Sequence, residues 1–573
     1  VVAFTAVRNF AKAAVFTATL TVRHLRAEPA RVPLLGLRLL PSPARRAVRG
    51  AAQRIGGLPR CYALWDAGRR AEMREEVRRL SRGASIASLA RLAAFTLAVE
   101  QPVLAGELLE RIPQGRRRAG LSHRLGVTTG QVVPARAPRR WNAITVAPDR
   151  RTRSQAVVNG QRSVPVRVLH VVTNALPHTN AGYTQRTHRI ALGQQAAGVE
   201  PHVLTRIGYP LTKGVRDARA LVVVDGVRYH RLLPWRAPKD DAAGFAASLR
   251  MAAEVVRRVR PDVLHAASDH RNGALALALG RMFAIPVVYE VRGFLEESWL
   301  SRDPSRSPSD AFYQAERAAE TECMLAADAV VTLGEAMRAE IVGRGVAPSA
   351  VNVIGNAVDD AFLAPLPDRE APRAALGIGA GDFVVGSTTS CYSYEGLDTL
   401  VDAVALLRGR GVPAHLLLVG DGPELGALRE RAAALGGAAH LPGRVPAAEV
   451  RGYHAALDVF AVPRRDERVC RLVTPLKPVE AMAGGLPVVA SDLPALAELV
   501  EPGVTGELIP PDDSEALANC LESLFYSRTT SADYGRAAKA GVGADRTWAA
   551  AARRYLEIYK QITGELSDSG HIG

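Results

Sequence analysis

At 573 residues the chain is too long for one core, since single domains run to roughly 100–200 residues, so two to four units are expected. With 48% hydrophobic and 23% charged residues it reads as globular and soluble, which excludes a fibrous or wholly disordered protein. The net charge of +16 lies entirely in residues 1–160, where 29 Lys and Arg face 9 Asp and Glu; beyond them 44 face 48, a balance of −4. The five cysteines are far apart and show no C-x-x-C spacing, which speaks against a zinc knuckle or a disulfide framework and suits a reducing compartment.

In chain order, the opening stretch has an apolar core at 13–22, bounded by Arg8, Lys12 and Arg23. It is too short to span a bilayer and no small-residue cleavage site follows, so neither a membrane span nor a cleaved signal is expected. Residues 71–81 and 85–111 place apolar side chains at helical spacing, and no strand pattern occurs in residues 1–160. The Pro/Arg-rich stretch 115–162 reads as a linker or exposed loop. A basic extension of this kind attracts polyanions; an anionic phospholipid surface is favoured over nucleic acid, because no aromatic-interleaved basic patch accompanies the charge.

From Val166 short β-branched runs alternate with helical patterns. Strands are expected at 166–172, 201–205, 263–266, 287–291 and 329–332, then at 383–386, 415–420, 459–462, 487–491 and 506–509. This alternation predicts two successive doubly wound α/β units, residues 164–355 and 356–545, with a final helix and tail at 546–573. Open parallel sheets bind ligands beyond the carboxyl ends of their strands, so the site is expected in the cleft between the units.

Several segments carry chemistry. The run TPLKPVEAMAGGLPVVAS at 474–491 puts Thr474, Lys477 and Glu480 where a loop enters a helix, close to exposed backbone N–H groups. The loop PHTNAGY at 177–183, with Gly182, follows a strand and precedes a helix, which suits close approach by phosphate or sugar. YEVRGFLEE at 289–297 ends a strand in clustered charge, with Glu290, Arg292 and Glu296. Gly420 and Gly422 lie in VGDGP, and Arg444 and Val445 in LPGRVP. No Asp-x-Asp pair occurs, so metal-bridged diphosphate chemistry is not expected, and no metal ligands are assigned.

The run at 474–491, with Glu498 and the Gly-containing turn behind it, strongly resembles the retaining glycosyltransferases of family 4, over roughly residues 164–565. The resemblance implies the GT-B fold, two Rossmann-like domains, here preceded by a mainly helical extension. It implies no cofactor, a nucleotide-sugar donor as substrate, with a uridine-linked sugar ranked ahead of a guanosine-linked one, and a glycan, glycolipid or polyprenyl-linked acceptor. Glu480 is then the ribose contact, the backbone near Arg444 and Val445 reads the base, and Gly182, Ser390, Gly420 and Thr474 line the donor site. Arg292 with Glu296, and Lys477, are the candidate catalytic groups, with Glu290 or Glu296 holding Arg292 or binding acceptor hydroxyls. The chain departs from the family at Leu472, where a donor-sugar Glu is usual, and at Ser390 and Glu395, where Arg and Lys are usual. A leaving diphosphate needs a facing cation, so Lys477 is the expected replacement, in a charge exchange with Glu395.

The motifs YEGLD at 394–398 and TPLK at 474–477 resemble a branch making envelope polysaccharides. Hexosyl or N-acetylhexosaminyl transfer in the cytoplasm, peripheral on the inner face of the plasma membrane, is the expectation. The competing expectation, motivated by the departures, is a catalytically weak GT-B scaffold that binds glycan or nucleotide.

Overall fold

The computed structural model describes residues 2–27, 29–99, 101–129 and 165–564. Most of the expected linker, residues 130–162, and the tail from 565 lie outside them. The described part of the linker, Arg116–Thr129, is a helix and not a loop. Leu121 is buried and Leu125 packs against the same core, so an apolar spacing of one turn overrides the arginine content.

The extension divides in two. Helices Val32–Leu39, Ser42–Ile55, Gly57–Asp66, Arg70–Ser81, Ile86–Ala98, Pro102–Glu110 and Arg116–Thr129 form a module around Cys61, Met73, Val77, Phe95, Leu104 and Ile112. The stretch 85–111 breaks into two helices at Pro102, which has no N–H to donate and therefore starts the second. Among the described residues, none of the first helix, Val2–Ala27, belongs to this core. Its Ala13 and Phe16 are instead buried against Leu211, Ala218 and Leu233 of the next unit.

That next unit, the first lobe, holds an eight-stranded sheet. Its strands are β1 (Arg167–Val172), β2 (Glu200–Thr205), β3 (Leu221–Val224), β4 (Val227–Arg231), β5 (Val263–Ala267), β6 (Val287–Val291), β7 (Ala329–Thr332) and β8 (Val351–Val353). They run in the order β3-β4-β2-β1-β5-β6-β7-β8, parallel except for the β3–β4 pair. The second lobe carries β9 (Phe383–Thr388), β10 (Ala414–Val419), β11 (Ala439–Gly443), β12 (Val459–Val462), β13 (Val488–Ser491) and β14 (Gly506–Ile509). Their order is β11-β10-β9-β12-β13-β14, all parallel. Strands such as β5, β6 and β9 are buried on both faces because helices cover both sides, which is why they read as unbroken apolar runs.

The helix Trp548–Thr563 follows the second lobe but packs on the first. Trp548, Ala551, Tyr555, Ile558 and Tyr559 share a core with Val168, Ile190, Val263 and Val288. Gly193 permits this crossing, since a Cβ there would lie 2.8 Å from the Trp548 carbonyl oxygen. Further contacts tie the lobes together. Glu498 accepts from the backbone N–H of Glu335 (2.7 Å) and Ala336 (2.6 Å) at the head of helix Glu335–Gly343, a carboxylate at a helix N-terminus. Arg468 reaches Glu297 at 2.9 Å and Glu340 at 3.3 Å. A cavity of about 510 Å3 at the hinge is lined by Leu333, Asn356, Glu498 and Arg546 among others.

Candidate active site between the two lobes

In the first lobe β1 runs into a loop and then the helix Gly182–Ala196. The space in front of Gly182 is open, with nothing within 4 Å of where a Cβ would stand. The loop is braced from behind: the Tyr209 hydroxyl donates to the Ala175 carbonyl and to Thr179 Oγ1, and His178 Nε2 lies 3.0 Å from Asp217.

At the end of β6 the side chain of Glu290 is fully buried. Its Oε1 accepts from Arg186 Nε (2.9 Å) and the Tyr555 hydroxyl (2.8 Å), its Oε2 from Arg292 (2.6 Å), with His265 Nε2 at 3.2 Å. Burial opposes ionisation here, but the Arg292 and Arg186 guanidinium groups win and hold the carboxyl well below the usual range. Arg292 also donates to the Tyr183 carbonyl (2.9 Å) and Thr187 Oγ1 (2.6 Å), so its cation is fixed against the first turns of the cleft helix. Beneath it, burial pushes the His170 imidazole down to about 3 and lowers His265 as well, so both stay neutral.

In the second lobe Glu480 lies in the first turn of helix Lys477–Ala483, only 9% exposed. Burial pushes its carboxyl up, and Lys477, whose Nζ donates to Oε2 at 2.8 Å, pulls it back; the nearby Asp359 adds to the upward push. Asp359 in turn pairs with Arg189 of the first-lobe helix at 3.0 Å. The carboxylate at the head of the second lobe's helix therefore sits beside the helix that carries Gly182, Thr187 and Arg189, and the lobes share a groove. Thr388, buried at the end of β9, lies 3.0 Å from His454 Nε2. Gly420, with φ of +150°, lies so close to Thr389 that a Cβ would collide with its carbonyl oxygen.

The remaining expected residues divide. Ser390 is exposed at the β9 loop, and Arg444 (exposed) and Val445 (part-buried) follow β11 directly. Residues 441–443, the start of the loop expected at 441–446, are thus the end of β11. Thr474 is buried at the lobe junction, its carbonyl accepting from Asn356 Nδ2 at 2.9 Å. Glu296 is fully buried and faces Arg344 at 2.8 Å. It is therefore Glu290 and not Glu296 that holds Arg292, and in this conformation Glu296 lies away from solvent. The Glu395–Lys477 exchange also needs correcting. Glu395 is paired bidentately with Arg464, at 3.1 and 2.9 Å with both side chains buried, while Lys477 pairs with Glu480. The arginine-rich loop neutralises Glu395 from within its own lobe, a guanidinium fork matching a carboxylate.

Residues 382–526 match the family model described as "Glycosyl transferases group 1" and residues 181–357 that described as "Glycosyl transferase 4-like domain". Together the two segments take in more than half of the chain. The chain belongs to these glycosyltransferases. Over 228 residues it is 34% identical to the GDP-mannose-dependent alpha-(1-6)-phosphatidylinositol monomannoside mannosyltransferase of Mycolicibacterium smegmatis, a match spanning 39% of this chain and 58% of that protein. Over 409 residues it is 27% identical to the D-inositol 3-phosphate glycosyltransferase of an Arthrobacter species, spanning 67% of this chain and 90% of that one. Among solved structures, sucrose-phosphate synthase from Thermosynechococcus elongatus aligns with a TM-score of 0.56 at 20% identity, covering 70% of this chain and all of that one. HepE of Anabaena in complex with UDP aligns at 0.53 and 20%, covering 69% and 100%. The fold is GT-B.

In this glycosyltransferase several site-shaping residues carried no signal in the sequence. Arg186 is an arginine within a helix, yet it is buried against Glu290 and donates to the carbonyls of Ile354 and Gly355. Tyr555 and Tyr559 belong to the C-terminal helix, some 265 and 294 positions from the Glu290 and His265 they bond. Arg464, Arg465, Arg468 and Arg471 are all ion-paired, and Arg464 is buried. Leu472 and Val473 pack against the first lobe's core, so the position of the family's donor-sugar carboxylate is an apolar inter-lobe contact here.

Proposed function

We propose that this glycosyltransferase moves a hexosyl group, with retention at the anomeric carbon, from a nucleoside diphosphate sugar to a hydroxyl of a lipid-linked or glycan acceptor in envelope glycoconjugate synthesis. The observation that carries the reading is the Arg189–Asp359 ion pair, which joins the helix Gly182–Ala196, with Arg292 fixed on its Thr187, to the segment whose Asp359 acts on the Glu480–Lys477 pair. Glu480 accepts hydrogen bonds from the ribose hydroxyls. Lys477, half exposed beside it, meets the charge that grows on the departing diphosphate. Arg292 stands over the reacting centre with its guanidinium already oriented by Glu290 and Thr187, so little reorganisation is needed as charge develops. The names of the relatives, a mannosyltransferase to phosphatidylinositol mannoside and an inositol phosphate glycosyltransferase, support a hexosyl donor and a phosphate-bearing or lipid acceptor. We carry both uridine- and guanosine-linked donors into the test, and the reaction needs no metal ion.

The second reading, a binding scaffold with little turnover, is favoured by the loss of the donor-sugar carboxylate at Leu472 and by the capture of Glu395 by Arg464. Nucleoside diphosphate release from a panel of nucleotide sugars separates the two. Transfer predicts release from at least one donor, a KM raised about 10–100-fold by Glu480→Gln, and a kcat lowered about 100-fold or more by Lys477→Ala. Release from no donor, or release indifferent to Glu480→Gln, leaves the scaffold.

A further inference from the structure

The first helix, Val2–Ala27, lies outside both family-matched segments and contains four Lys and Arg but no Asp or Glu. One face is docked on the first lobe. Ala13 and Phe16 are buried there, Leu20 packs with them, the Thr19 hydroxyl oxygen accepts from the Ala237 backbone N–H at 2.9 Å, and Arg23 reaches Pro238 and Asp241. Gly208, with φ of +81°, leaves room for the Phe16 ring, which would stand 2.6 Å from a Cβ. The positions 13, 16, 20 and 23 are one helical stripe.

The opposite stripe faces outward. Val7 is 67% exposed, Phe10 68% and Val22 44%, with the exposed Ala14 and Ala18 between them at helical spacing. Arg8 and Lys12 lie along the edge between the two stripes. A docked helix has no need of an apolar outer face, and a nucleic acid would make no use of one. A lipid surface accounts for both halves of the pattern, because an interfacial helix buries its apolar face among the acyl chains while cations at its edge meet anionic headgroups.

We infer that the outer face of the helix Val2–Ala27 lies in an anionic bilayer surface and holds the first lobe against it. The segment beneath the helix, residues 208–218, is the one whose Tyr209 and Asp217 brace the cleft loop through Ala175, Thr179 and His178. Membrane contact at this helix therefore brings the mouth of the groove close to the lipid surface, where a lipid-linked acceptor is presented. In this last respect the inference rests on the proposed function; the membrane contact itself does not.

Flotation of the full chain with vesicles tests it, using phosphatidylcholine alone and phosphatidylcholine with phosphatidylglycerol. The wild type is expected to float with the anionic vesicles only. A Val7→Asp/Phe10→Asp variant should float at least about tenfold less, since two apolar side chains leave the acyl region and two charges enter it. Both positions point away from the fold, so the melting temperature and nucleoside diphosphate release in free solution should match wild type. Equal flotation of variant and wild type overturns the inference, as does a wild type that stays with the protein-only fraction. A soluble wild-type dimer that the variant converts to monomer also overturns it, in favour of a contact between copies; a wild type that pellets with RNA but not with vesicles does so in favour of nucleic acid. Flotation without Glu480-dependent release would instead sink the proposed function and leave the membrane contact standing.

Discussion

Replacing Glu290 by Gln keeps the shape and one accepting oxygen but removes the charge that Arg186 and Arg292 share. Glu290 is fully buried and the two guanidinium side chains are only 2% and 8% exposed, so water cannot replace the lost counter-charge. Breaking a buried pair by removing one partner costs about 3–5 kcal/mol. Arg186 keeps the Ile354 and Gly355 carbonyls and Arg292 keeps Tyr183 and Thr187, which places the expected loss within that range and not above it. At roughly 2–4 °C per kcal/mol for a lobe of this size, the melting temperature at pH 7 should fall by roughly 6–20 °C. Tyr555→Phe, which deletes one neutral hydrogen bond to the same carboxylate, should cost only about 0.5–1.5 kcal/mol. The depressed carboxyl adds a pH test. Its stabilisation is complete above the unfolded value of 4.5 and is lost as pH falls through the lower folded value, so the gap between variant and wild type should close in acid. Thermal melts by circular dichroism from pH 7 to 3 measure both effects. A Glu290→Gln protein melting within about 1 °C of wild type, or a gap undiminished at pH 3, would refute the charge-sharing account.

Glu320 should behave in the opposite sense: burial pushes its carboxyl up to about 8, so the folded chain keeps a proton that the unfolded chain releases near 4.5. Wild type should therefore lose stability as pH rises from 4.5 to 8, and melts of Glu320→Gln over that range should not show this loss. Burial pushes both His170 and His454 down to about 3, while the unfolded imidazole takes up a proton below 6.5. Stability should fall as pH drops from 6.5, by about 1.4 kcal/mol per unit for each, and His454→Gln should reduce that slope in urea titrations. Gly420→Ala should abolish the thermal shift given by added nucleoside diphosphate, because the new methyl group meets the Thr389 carbonyl; an unchanged shift would show that the β10 turn does not shape the nucleotide site.

How far the sequence reached depended on how local each signal was. Buried parallel strands announce themselves as short β-branched runs, and all ten expected strands are present, several with the expected bounds, such as β6, β7, β12 and β14. Four were missed. β8 has only three residues, β11 mixes Ala, His, Pro and Gly, and β3 and β4 stand at the sheet edge, where β3 is partly exposed. The β3–β4 hairpin did carry a local signal, Asp225-Gly226, with φ of +48° and +81° as a tight turn of that kind requires. The places of Glu480, Gly420 and Arg292 at loop–helix and strand–loop junctions were legible because such junctions carry recognisable local patterns. Glu296 and Glu395 were misjudged because which arginine faces a carboxylate is set by chain segments far away, here Arg344 and Arg464.

By itself the sequence determined the two doubly wound lobes, the basic character of the extension and the loop–helix and strand–loop junctions at Gly182, Arg292, Gly420 and Glu480, because hydrophobic period, turn chemistry and motif spacing are properties of neighbours along the chain. The tertiary structure alone decided that Glu290 holds Arg292 with the help of a tyrosine from the C-terminal helix, and that Lys477 serves Glu480. It also decided that the first helix lies on the first lobe and not in the core of the helical module. Those outcomes turn on which buried charges and apolar stripes meet across hundreds of residues, and no local pattern encodes such pairings.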